Sequence, residues 1–82
     1  MSETVRLTAP IVANVWQLRV AVGDVIDVGT VVAVLESMKM EIPIESSVRG
    51  TVVALPVPEG TIVQEGDTVA DIALDRDSAP DW

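Results

Sequence analysis

The sequence contains no cysteine, histidine, phenylalanine or tyrosine, and Lys39 is the single lysine among its 82 residues. Without thiols or imidazoles, the chain lacks the usual ligands of a zinc site. It also cannot form a thiol redox couple or supply a histidine general base. Basic residues are also scarce, because 5 of them stand against 13 acids and leave a formal net charge of −8. A chain of that charge repels a phosphate backbone, so no nucleic-acid partner is expected.

Long apolar segments are also absent. The longest uninterrupted apolar run, residues 31–35, is far too short to cross a bilayer, so no membrane association is expected. The first residues, Met-Ser-Glu-Thr, have neither the basic nor the apolar stretch of a secretory signal. A chain this short forms one domain, and the lack of cysteine agrees with a cytoplasmic location.

The residues that are abundant favour extended structure. The chain has 16 valines, 6 isoleucines and 6 threonines, and β-branched side chains suit a pleated surface. No segment has a helical period of useful length. Short apolar runs instead end at Gly-Asp or Gly-Thr, as short strands joined by tight turns do. The sequence therefore predicts an all-β domain.

An internal repeat organises this pattern. Shifting the sequence by 37 positions aligns its two halves without a gap. The matched positions in the first half are Val15, Leu18, Val20, Gly23, Gly29, Val32 and Ala33, and in the second half Val52, Leu55, Val57, Gly60, Gly66, Val69 and Ala70. Two four-strand units that cannot each cover their apolar face would pack together. The expected fold is a flattened barrel-sandwich of two quasi-symmetric four-strand halves.

The repeat also predicts where the strands lie. They are expected at residues 5–8, 14–20, 25–26, 31–36, 41–44, 51–57, 62–63 and 68–74. Pro43 and Pro56 should then lie in edge strands or face away from a ladder. Strict alternation would bury Trp16, whereas the match of Val15 with Val52 requires a bulge that leaves Trp16 partly outside. We expect Trp16 to belong to the core or to cover a strand rather than to anchor a partner.

The chain is expected to divide at its acidic end. Residues 1–74 hold the apolar pattern and should form the folded domain. Residues 75–82 contain three aspartates and a proline without an apolar pattern, which predicts a disordered acidic tail.

The junction between the two halves breaks the local rules of the sequence. An apolar strand runs into Glu36-Ser37-Met38-Lys39-Met40-Glu41 before apolar residues resume, which places Lys39 at the tip of a hairpin. That turn lacks the glycine, asparagine or aspartate that hairpins usually recruit. Two methionines are also expected to be exposed there. Such local conflicts are typical of functional sites.

Glu36-Ser37-Met38-Lys39-Met40 resembles the attachment motif of the biotinyl domain family, found in biotin carboxyl carrier proteins. The resemblance spans roughly residues 7–74 and places the lysine at the midpoint of the repeat. Ser37 replaces a frequent alanine, and Ala13 stands where the second half has Gly50. If that position needs positive φ, Ala13 should cost some stability. The gapless repeat leaves no room for an inserted thumb. The early start of the pattern resembles a small stand-alone member or an excised domain with a new start, and we expect the stand-alone form.

The resemblance implies a non-catalytic carrier with biotin attached covalently to Lys39. A biotin protein ligase would attach it, with Met38 and Met40 as recognition elements. Glu36, Ser37 and Glu41 are further candidates for ligase recognition, although a solvated hairpin rim is the preferred interpretation of the two glutamates. The biotin would then shuttle an activated carboxyl group between a biotin carboxylase and a carboxyltransferase.

Two other functions compete with this interpretation. Lipoyl carrier domains share the expected fold, but they usually have aspartate before and alanine after the lysine, where this chain has Met38 and Met40. An unmodified β-sandwich interaction module is the other alternative, and for it the lone lysine between methionines would be accidental.

Overall fold

The computed structural model describes residues 3–74, which form eight strands and no helix. No helix capable of spanning a membrane therefore occurs within this range. The strands are β1 (Thr4–Thr8), β2 (Ala13–Leu18), β3 (Val25–Ile26), β4 (Val31–Ser37), β5 (Met40–Glu45), β6 (Gly50–Ala54), β7 (Ile62–Val63) and β8 (Thr68–Leu74). The predicted all-β class is confirmed, and the acidic tail predicted at 75–82 lies outside the described residues.

The strands form two four-stranded antiparallel sheets, ordered β1-β8-β6-β3 and β5-β4-β2-β7. Each sheet takes two strands from each half of the repeat. The two-sheet sandwich is therefore confirmed, but its sheets are not its halves. The 37-residue shift carries β1, β2, β3 and β4 onto β5, β6, β7 and β8, and so exchanges one sheet for the other. This exchange is the pseudo-two-fold symmetry of the domain.

The core lies between the two sheets and is built from aliphatic side chains. Its largest fully buried members are Leu35, Ile72, Val15, Val32, Val52, Val63 and Val69. Since these residues come from both halves, neither half could bury its apolar face alone. The valine-rich composition thus reflects a thin core between closely packed sheets.

A bulge interrupts the second strand of each half. The register between β2 and β4 shifts between Val15 and Gln17, and that between β6 and β8 shifts between Val52 and Ala54. The extra residue in each bulge is partly outside: Trp16 is 42% exposed and Val53 is 46% exposed. The bulged alternative for Trp16 is therefore the one that the structure adopts.

The prolines and strand ends test the strand predictions further. Pro43 lies in β5, an edge strand, as predicted. Pro56 lies beyond β6, which is an internal strand that ends at Ala54, so the predicted extension to residue 57 was wrong. Similarly, β2 ends at Leu18 rather than at residue 20, and the Leu18 amide donates to the Glu59 carboxylate at 2.8 Å.

The hairpin between β4 and β5 and the described chain ends lie at opposite ends of the sandwich. The Leu74 amide donates to the Glu3 carbonyl at 2.8 Å, so the described ends lie side by side. From there β1 runs toward the start of β2, where Asn14 pairs with Glu36 beside the hairpin tip. The tip therefore projects from the sandwich on the side away from both described ends.

Glycines occupy two kinds of position. Four of them adopt positive φ values of 89° to 100° in the tight turns of the two halves: Gly23, Gly29, Gly60 and Gly66. Gly50 has no positive φ, but a Cβ there would collide with the Ala73 carbonyl on the neighbouring strand. Its equivalent, Ala13, is buried and also lacks positive φ. The backbone strain considered for Ala13 is therefore absent. At position 50, it is the close approach of a neighbouring backbone that requires glycine.

Gly50→Ala should lower the free energy of unfolding by about 2 kcal/mol or more, since the added methyl must displace backbone. Gly29→Ala, at a positive φ but with open space around the new Cβ, should cost about 1 kcal/mol. Urea unfolding of the two variants measures both changes. A Gly50→Ala variant as stable as the wild type would contradict the close-approach explanation.

Candidate functional site

The tip of the β4–β5 hairpin is a two-residue loop. Ser37 and Met40 form the last cross-strand pair, which leaves Met38 and Lys39 as the connecting residues. Both have positive φ values, 51° and 68°. Positive φ at both central residues is typical of the type I′ turn, whose twist matches that of the flanking strands.

This turn is strained, because side chains are disfavoured in the left-handed region by about 1 kcal/mol or more per residue. Asparagine or glycine would relieve the strain, and neither is present. The core holds the turn in place: Leu35 on β4 is fully buried, and its partner Ile42 on β5 packs against the core. Strain of this kind, maintained by its surroundings, is often found at functional sites.

The three side chains of the tip point into solvent. Met38 is 91% exposed and Met40 is 64% exposed, although methionines usually pack in apolar interiors. Lys39 is exposed too, and within residues 3–74 its amine has no ion pair or hydrogen bond. The amine is therefore accessible to a large partner from outside the domain.

Glu36 and Glu41 face each other across the hairpin, one pair below the tip. Both are exposed and occupy the outward face, since Leu35 and Ile42 beside them turn inward. Like charges directly opposite on a sheet destabilise it, so this pair does not serve the fold. The two carboxylates instead give the base of the tip a negative surface. Ser37, half-buried, ends β4.

The sequence patterns did not single out the loop before β2. This loop ends next to β2, whose Asn14 pairs with Glu36 near the end of β4. Ile11 and Val12 are 40% and 49% exposed. The sequence does carry a signal for the exposure of Val12, because the 37-residue repeat aligns it with the charged residue Arg49. Two exposed apolar side chains therefore lie at the same end of the sandwich as the hairpin tip.

The described residues offer no catalytic constellation at this end of the domain. Among residues 3–74, no cluster of carboxylates or other ligands could hold a metal ion. What the tip presents is one accessible amine on a rigid support. The arrangement is suited to covalent modification of Lys39 by an external enzyme.

Comparison of the sequence with known proteins identifies its family. Residues 5–72 match the family described as Biotin-requiring enzyme. A biotinylated protein TB7.3 homolog of Mycobacterium leprae is 47% identical over 73 residues, which cover 89% of this chain and 100% of that protein. A biotin/lipoyl attachment protein of Bacillus subtilis is 45% identical over 60 residues, covering 73% of this chain and 82% of that protein.

Solved structures agree with the fold. The Kluyveromyces lactis urea carboxylase contains a region that superposes with a TM-score of 0.81 at 30% identity, covering 85% of this chain but 6% of that enzyme. A single-chain, multi-domain long-chain acyl-CoA carboxylase superposes with a TM-score of 0.82 over 88% of this chain and 7% of that enzyme. At 24% identity this second match bears on the fold alone.

Fold and relatives together define a biotinyl-type carrier domain, a class without catalytic groups of its own. The chain belongs to the biotin-requiring enzyme family, and small biotinyl proteins are among its similar relatives.

The strain at the tip can be tested by Met38→Asn, which places a residue tolerant of positive φ in the first turn position. We expect the free energy of unfolding to rise by about 0.5–1 kcal/mol in urea titrations. Met40→Asn is the matched control, because residue 40 lies in β5 without positive φ and should gain nothing. Equal gains in the two variants would argue against strain at Met38.

Proposed function

We propose that this protein is a biotin carboxyl carrier that bears biotin on Lys39. One observation carries the proposal: the single lysine of a biotin-requiring family member stands, accessible, at a strained hairpin tip between two exposed methionines. In this role the protein serves a biotin carboxylase and a carboxyltransferase, and a biotin protein ligase modifies it. The acceptor of the carboxyl group is chosen by the transferase.

The residues at the tip fit the covalent attachment of biotin. The ε-amine has a flexible stem and no competing partner among the described residues, so it can reach an external active site. In its deprotonated form it would attack the acyl carbon of biotinyl-adenylate, form an amide and displace AMP. The domain supplies only the nucleophile, and the ligase supplies activation and specificity.

When bound, biotin would supply a ureido nitrogen that accepts a carboxyl group from one enzyme and releases it to another. The contribution of this chain is positional. The interleaved sheets hold the root of Lys39 fixed, while the side chain and its attached arm move. Tethering replaces free diffusion of the cofactor by a high effective concentration near each active site.

The exposed methionines favour biotin over a lipoyl group. A lipoyl carrier has the same overall fold, so the sheets do not discriminate between the two. Met38 and Met40 occupy the positions where lipoyl domains usually have aspartate and alanine, and their exposed thioethers offer a ligase an apolar contact on each side of the amine. An unmodified interaction module would not explain an apolar flank around a lone amine.

The proposal includes a cytoplasmic location. The ligase reaction and the carboxylation of biotin both consume ATP. Both partners that it assigns to this chain therefore require a compartment that contains ATP.

Lys39→Arg is the direct test of the attachment site. Co-expressed with a biotin protein ligase, the wild type should gain the mass of one biotin and react with streptavidin, whereas Lys39→Arg should gain none. Since residue 39 is exposed, the variant should keep its β-sheet circular dichroism. Biotin on the variant, or none on the wild type, would overturn the proposal. A gain matching a lipoyl group would favour the lipoyl alternative.

Met38→Asp combined with Met40→Ala tests recognition by the ligase. The double variant should be biotinylated about tenfold more slowly, because it loses apolar contact and gains charge beside the amine. Val22→Asp is the matched control: residue 22 is 61% exposed and precedes β3, which pairs with β6 near the described chain ends. It adds the same charge far from the tip. Equal rates for all three proteins would show that the methionines are not recognised.

A further inference from the structure

The sulfur atoms of this chain are concentrated at the attachment site. The sequence has three methionines and no cysteine, and two of the three methionines flank its single lysine. Met38 is 91% exposed and Met40 is 64% exposed. A dissolved oxidant can therefore reach both thioethers in the folded protein, with no need for local unfolding.

We propose that Met38 and Met40 are reversible oxidation sites, and that their conversion to sulfoxides by a peroxide suppresses modification of Lys39. The oxidation itself depends only on the exposure of the two side chains. Its effect on Lys39 rests on the proposed function, because it requires an enzyme that recognises the hairpin tip.

The oxidation step needs no catalytic group from the domain. A sulfur lone pair attacks one oxygen of hydrogen peroxide, so that an S–O bond forms while the O–O bond breaks, and the other oxygen leaves as water after proton transfer. The sulfur is oxidised by two electrons and the peroxide is reduced by two. In the reverse step, a reductase transfers two electrons from a pair of thiols, which become a disulfide while water is released.

The position of the two side chains makes the change consequential. A sulfoxide is polar and chiral where the thioether was apolar, and burying it against a partner without a hydrogen bond is unfavourable. Here both altered groups lie next to the reactive amine. Neither side chain belongs to the core, so oxidation changes the recognised surface and leaves the packing between the sheets intact.

Two apolar substitutions separate oxidation from other changes at the tip. Met38→Leu combined with Met40→Leu keeps apolar side chains on both sides of Lys39 but removes both oxidisable sulfurs. A short methionine peptide mixed with each protein serves as an internal control for the peroxide treatment. Peptide mapping by mass spectrometry locates the added oxygen atoms.

The experiment treats the purified wild type and the leucine variant with hydrogen peroxide, removes the peroxide, and then adds fresh ligase, biotin and ATP. In the wild type we expect one added oxygen on each of Met38 and Met40 and an unchanged thermal melting curve. Relative to the same protein without peroxide, biotinylation should be slowed by about tenfold in the wild type and unchanged in the leucine variant. Treatment with methionine sulfoxide reductases should restore the rate.

Each other outcome counts against a defined part of the argument. Slow oxidation of the two methionines relative to a short methionine peptide would overturn their assignment as oxidation sites. Complete oxidation without a change in the biotinylation rate, or an equal slowing of the leucine variant, would overturn the switch. An unoxidised wild type that accepts no biotin would instead overturn the proposed function, and the switch with it.

Discussion

The burial of one aliphatic layer between two interleaved sheets is the constraint on which the rest of this structure depends. Val15 and Val52, equivalent in the two halves, lie in different sheets and are both fully buried. Because every sheet contains strands from both halves, no half can separate without exposing the core of the other. A chain of this size buries a smaller fraction of its surface than larger domains do. Since the two halves share both sheets and this core, we expect them to unfold together.

The same core supports the unfavourable geometry of the hairpin tip. β4 is an internal strand, and its fully buried Leu35 lies only three residues before Met38. The pairing of β4 with β5 continues to Ser37 and Met40 and leaves two residues to reverse the chain. The positive φ values of Met38 and Lys39 follow from that short span. The β4–β5 ladder continues past the last core residues, Leu35 and Ile42, to Ser37 and Met40. This extension both places the tip in solvent and supports its base by strand pairing.

The sequence predicts much of this arrangement because the repeat reports on burial. Aliphatic residues match at a 37-residue spacing, so the strands and the central position of Lys39 could be inferred. Which strands pair could not, because alignment identifies equivalent strands but not their neighbours. The reason for Gly50 also required the structure, since the close approach of Ala73 comes from a distant strand. At Met38, local propensity pointed away from a type I′ turn, and the strand register prevailed.

The pseudo-symmetry has a consequence for how freely the tip can vary. The pairing of Ser37 with Met40 is the symmetry equivalent of the contact between Leu74 and Glu3, where the described chain has no connection. Met38 and Lys39 are therefore the link that joins one repeat to the next, and the repeated architecture prescribes no residue there. Packing between the sheets constrains the buried apolar positions of both repeats. Met38 and Lys39 are free of that packing constraint, so the side chains at this link can be suited to a chemical role.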